Sequence, residues 1–198
     1  MKGEHRLLIN GKLVAAQSGK TYPNIAPATE QTLGEVADAG HDDMDAAIAA
    51  ARNAFDTSDW ASNHELRARC LQQLHDALLE AQDSLRPLIS AETGAPLGIC
   101  GDMGPQCNLP ISFINDAISV LKGYPWERDL GTKEMMGGKS RRMVHKEAVG
   151  VVACITPWNV PLQINLAKSI PALAAGCTVV LKAAPETPWS ATELGRIV

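Results

Sequence analysis

Two short apolar runs near the end of the chain are each followed by a polar side chain, and this pattern constrains the fold most strongly. Residues 149–155 are almost entirely apolar and lead through a short turn to Asn159, while residues 178–181 lead directly to Lys182. The segment between the runs has the length of one helix, so the predicted order is strand, helix, strand. Open parallel sheets bind ligands beyond the carboxyl ends of their strands. We therefore expect Asn159 and Lys182 to lie on neighbouring strands at a ligand-binding edge.

The rest of the sequence predicts an α/β protein with extended segments first and helices after them. Asn10-Gly11 between apolar residues is a strong hairpin signal, because both turn residues must accept a positive φ. The apolar run at 149–155 is typical of a parallel strand covered on both faces. Thr187 and Pro188 are typical of a helix start, with Thr187 as the N-cap. Further helices are predicted at 42–55, at 63–92 with Pro87 as a potential break, at 109–122 and at 161–175, with a loop or hairpin at 123–138 and an exposed strand at 141–145.

Asn159 has two interpretations from the residues alone. Asparagine is favoured in turns, so it could serve only to end the strand. Its side-chain amide could also donate to a developing oxyanion, a task that suits a neutral group which does not titrate. One such donor is worth about 3 kcal/mol of activation barrier. Pro157 and Pro161 flank Asn159 and would stiffen the turn that holds it.

Lys182 and Glu186 are the charged candidates at the same edge. A lysine that ends an apolar run is not expected to be buried for packing. Its stem could lie along the strand with the ammonium in water, or the ammonium could bind the hydroxyls or phosphates of a nucleotide. Glu186 follows closely and could accept hydrogen bonds from a ribose. It could equally be a solvated charge at the start of the next helix.

Several common chemistries have no motif in this chain. No glycine-rich dinucleotide fingerprint, phosphate-binding loop or zinc-protease motif occurs. The five cysteines lack the spacing of a zinc or redox pair, so we predict reduced thiols and no metal site. Cys154 and Cys177 lie in apolar runs, where burial raises the pKa of a thiol and makes it unreactive.

The charge balance and hydropathy indicate a cytoplasmic protein. With 18 basic and 22 acidic residues, the net charge of −4 argues against nucleic acid as the main partner. No stretch has the length of a signal-peptide core or a membrane-spanning helix, so we expect no membrane partner. A basic cluster is better explained as a solvated strand edge than as a phosphate-binding patch. Its members are Lys139, Arg141, Arg142 and Lys146.

The end of the sequence predicts a truncated protein. The chain stops at Val198, within the helix predicted after Pro188, and no helix-stop signal precedes that position. A parallel sheet of two strands would also leave apolar edges and faces uncovered. We therefore expect this chain to be the N-terminal portion of a larger fold.

Several motifs of this sequence resemble those of the aldehyde dehydrogenase superfamily. Residues 147–162 read EAVGVVACITPWNVPL, and residues 171–182 read PALAAGCTVVLK. Shorter matches near the N-terminus are ING at 9–11, NIAPAT at 24–29 and ETG at 92–94. The resemblance covers nearly the whole chain, and the long block makes chance similarity very improbable.

The resemblance implies a Rossmann-like cofactor-binding domain, an open parallel sheet with flanking helices and N-terminal hairpins. It implies oxidation of a small-molecule aldehyde to a carboxylic acid with NAD or NADP, through a cysteine thiohemiacetal. Asn159 would stabilise the oxyanion and Lys182 would bind the adenine ribose. Many members carry a glutamate where this chain has Pro185, with Glu186 one position later, so NAD versus NADP stays open. The residues implied to line the cofactor are Ile155, Thr156, Pro157 and Trp158.

The same resemblance implies a division of the chain into domains. Residues 1–129 and 149–198 would form an incomplete cofactor-binding domain, and residues 130–148 an oligomerisation arm. The catalytic domain, with the cysteine nucleophile and the general-base glutamate, would be absent from these residues. The complete enzyme would be a homo-oligomer, a dimer or a tetramer. The alternatives are an inactive fragment that acts only as a binding or assembly module, and a non-redox nucleotide-binding protein with a similar strand-helix-strand unit.

Overall fold

The computed structural model describes residues 2–101 and 104–198 as a mixed α/β fold. Its eight described strands form four two-stranded sheets, three of them antiparallel hairpins and the last a parallel pair. The predicted Asn10-Gly11 hairpin is confirmed, and both of its turn residues have positive φ. The strands are β1 (Leu7–Ile9), β2 (Lys12–Val14), β3 (Thr21–Ile25), β4 (Thr32–Ala37), β5 (Glu127–Met135), β6 (Gly138–His145), β7 (Val151–Ile155) and β8 (Thr178–Lys182).

Five α-helices supply most of the core. They are α1 (His41–Thr57), α2 (His64–Thr93), α3 (Asn108–Gly123), α4 (Pro161–Ala174) and α5 (Trp189–Ile197), and a short 3₁₀ helix spans Leu97–Cys100. The core lies where α2, α3, α4 and α5 pack together. Its fully buried side chains include Leu78, Ile89, Ile111, Leu162 and Trp189. This helical layer supports one side of the parallel strand pair.

The parallel pair β7–β8 is built as the sequence predicts. Helix α4 connects the two strands, and their register aligns Val151 with Thr178. Two hydrogen bonds join the start of β8 to residues on the side of the pair away from α4. In the first, Thr178 Oγ1 donates to the carbonyl oxygen of Ala51 in α1 at 2.9 Å. Trp60 Nε1 donates to the carbonyl oxygen of Cys177 at 3.0 Å. The pair therefore lies between α1 and α4, in the manner of a doubly wound sheet.

Helix α2 is continuous through Pro87. It extends from His64 to Thr93, although proline removes a backbone donor and costs about 3 kcal/mol in a helix interior. Leu85, Leu88 and Ile89 are buried around it, and their packing holds the helix together across this position. Gly94 ends the helix in the left-handed conformation, with φ of 71°, as a glycine at this position commonly does.

The prediction that residues 149–155 form a strand covered on both faces holds only in part, since Cys154 is buried and Val151 and Val152 are half-buried. The strand begins only at Val151, and Val149 and Ile155 are 87% and 71% exposed. Helices α1 and α4 both contact β7, but β8 is its only hydrogen-bonded neighbour among the described strands, so its other edge is open and side chains along it reach solvent. An apolar run identifies a strand, but whether each face is covered depends on elements elsewhere in the protein.

Thr187 does not cap the last helix. Helix α5 begins at Trp189, and the buried hydroxyl of Thr187 finds no hydrogen-bond partner among the described residues. The backbone amides of Trp189 and Ser190 instead donate to the carboxylate of Glu92, at 2.6 and 2.9 Å. A carboxylate from another helix therefore satisfies the donors that a local N-cap would otherwise take.

The hairpin β5–β6 is exposed along almost its whole length. Its base is fixed to the helical layer, where Trp126 Nε1 donates to the carbonyl oxygen of Leu121 at 3.4 Å. Lys146 Nζ donates to the hydroxyl of Tyr124 at 2.6 Å, next to the start of the hairpin. The predicted loop or hairpin at 123–138 and the strand at 141–145 are thus one antiparallel ribbon.

The described residues contain no helix long and apolar enough to cross a membrane. All five cysteines are free thiols.

Candidate functional site

The carboxyl edge of the parallel pair brings the two predicted halves of the site together. Ile155 and Lys182 are register partners at the ends of β7 and β8. The backbone amide of Thr156 donates to the carbonyl oxygen of Lys182 at 3.2 Å, which extends the ladder by one further bond. Asn159 follows in the loop between β7 and α4. The prediction that Asn159 and Lys182 belong to neighbouring strand ends is confirmed.

Thr156 faces the interior rather than solvent. It is buried, and its Oγ1 donates to Oδ1 of Asn165 on α4 at 2.7 Å. The amide of Asn165 is buried too, and its Nδ2 lies 3.4 Å from the carbonyl oxygen of Ser190 in α5. The Thr156 hydroxyl is therefore occupied within the protein. A ligand at this edge would contact the main chain of Thr156, because the side chain of Thr156 is turned inward and anchors the turn.

The turn after β7 presents an open, largely apolar surface. Ile155 is 71% exposed and Trp158 is 55% exposed, and Pro157 between them is also exposed. The side chain of Asn159 is exposed, while its carbonyl oxygen accepts a hydrogen bond of 3.1 Å from Nε2 of Gln106. An amide with two N–H donors thus stands at the open end of the turn.

Lys182 and Glu186 provide the charge at this edge. Lys182 is exposed, and its Nζ donates to the carbonyl oxygen of Ala183 at 3.1 Å. An ammonium has three donors, so two remain for water or a ligand. Glu186 is exposed in the turn between β8 and α5, before the helix begins. The edge therefore combines a cation, a carboxylate and an exposed amide beside apolar surface.

Four of the five thiols of this chain are buried and unsuited to nucleophilic attack. Burial raises the pKa of Cys154 in β7. Burial also raises the pKa of Cys100 and raises that of Cys107 to about 12. Cys177 is buried directly before β8. A neutral, buried thiol is a poor nucleophile, because the thiolate is the reactive form.

Sequence reasoning missed three polar residues that support this edge: Gln106, Asn165 and Glu92. Glu92 lies on the buried face of α2 at helical spacing from Leu85 and Leu88, and this spacing could have identified it as a buried carboxylate. Asn165 lies among the buried residues of α4 in the same way. Gln106 belongs to an irregular turn before α3, and no periodic pattern points to it.

Comparison with known proteins gives one consistent result. Residues 13–198 match the aldehyde dehydrogenase family. The NADP/NAD-dependent aldehyde dehydrogenase PuuC of Escherichia coli K12 is 33% identical over 197 residues, which are 98% of this chain and 38% of PuuC. The structure of an aldehyde dehydrogenase from Bacillus cereus with NAD+ has a TM-score of 0.90 at 32% identity, covering 98% of this chain and 38% of that one.

A second similar structure is that of the C291A mutant of aldehyde dehydrogenase C from Pseudomonas syringae with NAD+ and octanal. It has a TM-score of 0.87 at 34% identity, and the match covers 98% of this chain and 38% of that protein. The chain thus spans about two fifths of the length of the relatives that it matches. Its sequence and its fold agree, and the chain belongs to the aldehyde dehydrogenase family.

Proposed function

We propose that this chain supplies the cofactor-binding part and the oxyanion-stabilising amide of an NAD(P)-dependent enzyme that oxidises an aldehyde to a carboxylic acid. The observation that carries the proposal is the carboxyl edge of β7–β8, where exposed Lys182 lies beside Ile155 and the Asn159 amide follows in the same turn. Family membership supports the reaction class. The complete enzyme would be this chain joined to the further length that its relatives carry.

The residues at this edge fit a dinucleotide. Lys182 has free ammonium donors for ribose hydroxyls, and Ile155, Pro157 and Trp158 offer exposed apolar surface against which a ring can lie. NAD(P), when bound, supplies the acceptor for the hydride that leaves the substrate carbon. Similar structures contain NAD+, and PuuC is named for both cofactors. Glu186 would accept hydrogen bonds from a free ribose diol and would repel a 2′-phosphate.

Asn159 would act on the carbonyl oxygen of the aldehyde. When a thiolate attacks the carbonyl carbon, negative charge develops on that oxygen and a thiohemiacetal forms. The attacking cysteine would belong to the remainder of the complete enzyme, because the thiols here are buried or only partly accessible. The exposed Asn159 amide can donate to the oxyanion without changing its own charge. Anchoring of Thr156 on Asn165 keeps the turn in place while that charge develops.

These 198 residues alone are expected not to oxidise aldehydes. The measurement is NAD(P)H formation by the purified chain with a panel of aliphatic and aromatic aldehydes. Turnover that disappears in Asn159→Ala would show that a nucleophile is present in this chain and would refute the assignment.

The cofactor assignment is tested by nucleotide binding to the 198-residue chain. Saturation-transfer NMR with NAD+ and with NADP+ should detect binding that Lys182→Ala weakens at least fivefold. Lys122→Ala is the matched control, since it removes an exposed lysine at the end of α3.

In the complete enzyme, Lys182→Ala should raise the cofactor KM and leave kcat little changed, because the ribose that Lys182 would bind does not react. A large loss of kcat at saturating cofactor would contradict the assignment.

The role of Asn159 is tested in the complete enzyme by Asn159→Ala. We expect kcat to fall by roughly 10²–10³-fold, as when one oxyanion donor is removed, with little change in cofactor KM. Asn159→Asp is the companion variant of equal size, in which a carboxylate would face the developing charge. An unchanged kcat in both variants would mean that Asn159 only shapes the turn.

We also propose that residues 130–148 form an oligomerisation arm between the two segments of the cofactor-binding domain, 1–129 and 149–198. Support comes from the exposed β5–β6 ribbon, whose apolar side chains Leu130, Met135, Met136 and Met143 all face solvent. The same exposure favours the second candidate, an assembly module without catalysis. Replacing Met135 and Met143 by serine in the complete enzyme should shift a dimer or tetramer towards monomer in analytical ultracentrifugation. An assembled enzyme without aldehyde turnover would favour the second candidate.

A further inference from the structure

A side chain from outside the parallel pair holds the turn that carries Asn159. Gln106 lies 53 residues earlier in the sequence and is only 6% exposed, and its Nε2 donates to the carbonyl oxygen of Asn159 at 3.1 Å. The other end of the same amide, Oε1, is buried and accepts no hydrogen bond from the described residues. Leaving a buried acceptor unpaired is unfavourable. Among the described residues, the hydrogen bond to Asn159 is the only one that the Gln106 side chain makes.

The described residues next to Gln106 pack closely against the 3₁₀ helix. The backbone amide of Gln106 donates to the carbonyl oxygen of Ile99 at 3.3 Å, and that of Gly104 donates to Gly101 at 2.8 Å. A Cβ at Gly104 would lie 2.0 Å from the carbonyl oxygen of Ile99, so the backbones touch there. Cys107, the next residue after Gln106, is completely buried. The backbone of Gln106 is thus held by a hydrogen bond and by the close packing of its neighbours.

The Asn159 turn is fixed at three points, and Gln106 provides the middle one. At its start, Thr156 bonds to Lys182 through its amide and to Asn165 through its hydroxyl. At its end, the amide of Ile164 donates to the carbonyl oxygen of Val160 at 3.1 Å, in the first turn of α4. Between them, the Gln106 bond sets the plane of the peptide that follows Asn159. The Asn159 side chain leaves the Cα next to this peptide, so holding the carbonyl group limits how far that Cα and its side chain can move.

We propose that Gln106 is a positioning residue that orients the Asn159 amide toward the substrate oxygen. The inference rests on the proposed role of Asn159 as the oxyanion donor. Gln106 touches no reacting atom and acts only through the turn. Because an oxyanion donor works only at hydrogen-bond distance from the developing charge, a turn that moves freely loses part of the effect of Asn159.

The functional test is a double-mutant cycle in the complete enzyme. Gln106→Met removes the donor with little change in side-chain length, and we expect kcat to fall about tenfold or more while cofactor KM stays within about twofold. In Asn159→Ala the amide is gone, so adding Gln106→Met should change kcat by less than about twofold. Gln106→Glu places a carboxylate against a carbonyl oxygen and should be at least as harmful. Gln163→Met, at a half-buried position on α4, is the control.

Two outcomes of this cycle are separable. If Asn159→Ala itself leaves kcat unchanged, the proposed function fails whatever Gln106 does. If Asn159→Ala lowers kcat while Gln106→Met does not, or if the two losses multiply, then Gln106 does not act through Asn159 and the inference is overturned.

A second measurement uses the 198-residue chain itself and needs no activity. Hydrogen–deuterium exchange followed by mass spectrometry should show faster exchange for peptides covering residues 156–164 in Gln106→Met, because the turn loses its middle anchor. Peptides covering β8 should be unchanged, and Asn159→Ala should leave the turn protected. Equal exchange of 156–164 in the parent chain and in Gln106→Met would overturn the inference.

Discussion

The buried carboxylate of Glu92 joins three parts of the fold, and replacing it by glutamine tests how the last helix is held. Its Oε1 accepts hydrogen bonds from Asn24 Nδ2 at 2.7 Å and from the Trp189 amide at 2.6 Å. Its Oε2 accepts from the amide and the hydroxyl of Ser190 at 2.9 and 2.6 Å. Glu92 therefore connects α2, β3 and the N-terminus of α5 with four accepted hydrogen bonds.

Glu92→Gln keeps the shape of the side chain and removes half of its acceptors. The amide oxygen can still accept two bonds, but the NH2 group then faces the donors of the other oxygen, one of which is a backbone N–H that cannot accept. Each buried donor that loses its acceptor costs about 1–3 kcal/mol. Loss of negative charge at the start of α5 costs a further 0.3–1 kcal/mol or so. Burial raises the pKa of Glu92, so removing the charge recovers part of the cost of its desolvation. We expect a net loss of about 2–4 kcal/mol in unfolding free energy.

The assay is urea unfolding at pH 7 and sub-micromolar concentration, followed by tryptophan fluorescence, with Trp189 as a buried reporter. With an m-value of about 2 kcal/mol per molar urea, the expected loss lowers the midpoint by about 1–2 M. Glu80→Gln, at an exposed position of the same helix, is the matched control and should leave the midpoint unchanged. Equal midpoints for the two variants would refute the argument that Glu92 holds the start of α5.

Three further outcomes are expected. Arg67→Lys should lower the unfolding free energy by about 2–3 kcal/mol, because buried Arg67 donates to the carbonyl oxygens of Ala174, Trp60 and Ala61. The control is Arg69→Lys, at an exposed position of the same helix. Equal urea midpoints for the two variants would contradict this prediction. The bond from Arg6 lowers the pKa of Glu4 from 4.5 to about 2. Above pH 4.5 the ionised Glu4 therefore adds about 1–2 kcal/mol to the unfolding free energy, a figure reduced because Arg6 is partly exposed. This contribution is lost as the pH falls through about 2. The urea midpoints of the parent chain and Glu4→Gln should accordingly converge between pH 5 and pH 2, and a constant gap would refute this. Exposed Val149 and Ile155 should make the purified chain self-associate at tens of micromolar in light scattering; a monodisperse monomer would contradict the prediction.

Local sequence signals determined most of the secondary structure. The Asn10-Gly11 turn, the glycine at 94 and the apolar runs before Asn159 and Lys182 each depend on neighbouring residues only, and the structure agrees with all of them. The strand-helix-strand order also determined that Asn159 and Lys182 follow the same edge of a parallel pair. This follows because parallel strands joined by one crossover helix end on the same side.

Tertiary structure alone decided how the ends of these elements are satisfied. The amides at the start of α5 bond to Glu92 rather than to Thr187, although the local pattern favours the threonine. The Thr156 hydroxyl turns inward to Asn165, and the Asn159 turn is held by Gln106 from a distant loop. Buried donors and acceptors pair with whichever partner the packed chain brings within reach, and that partner is set by three-dimensional packing rather than by sequence spacing.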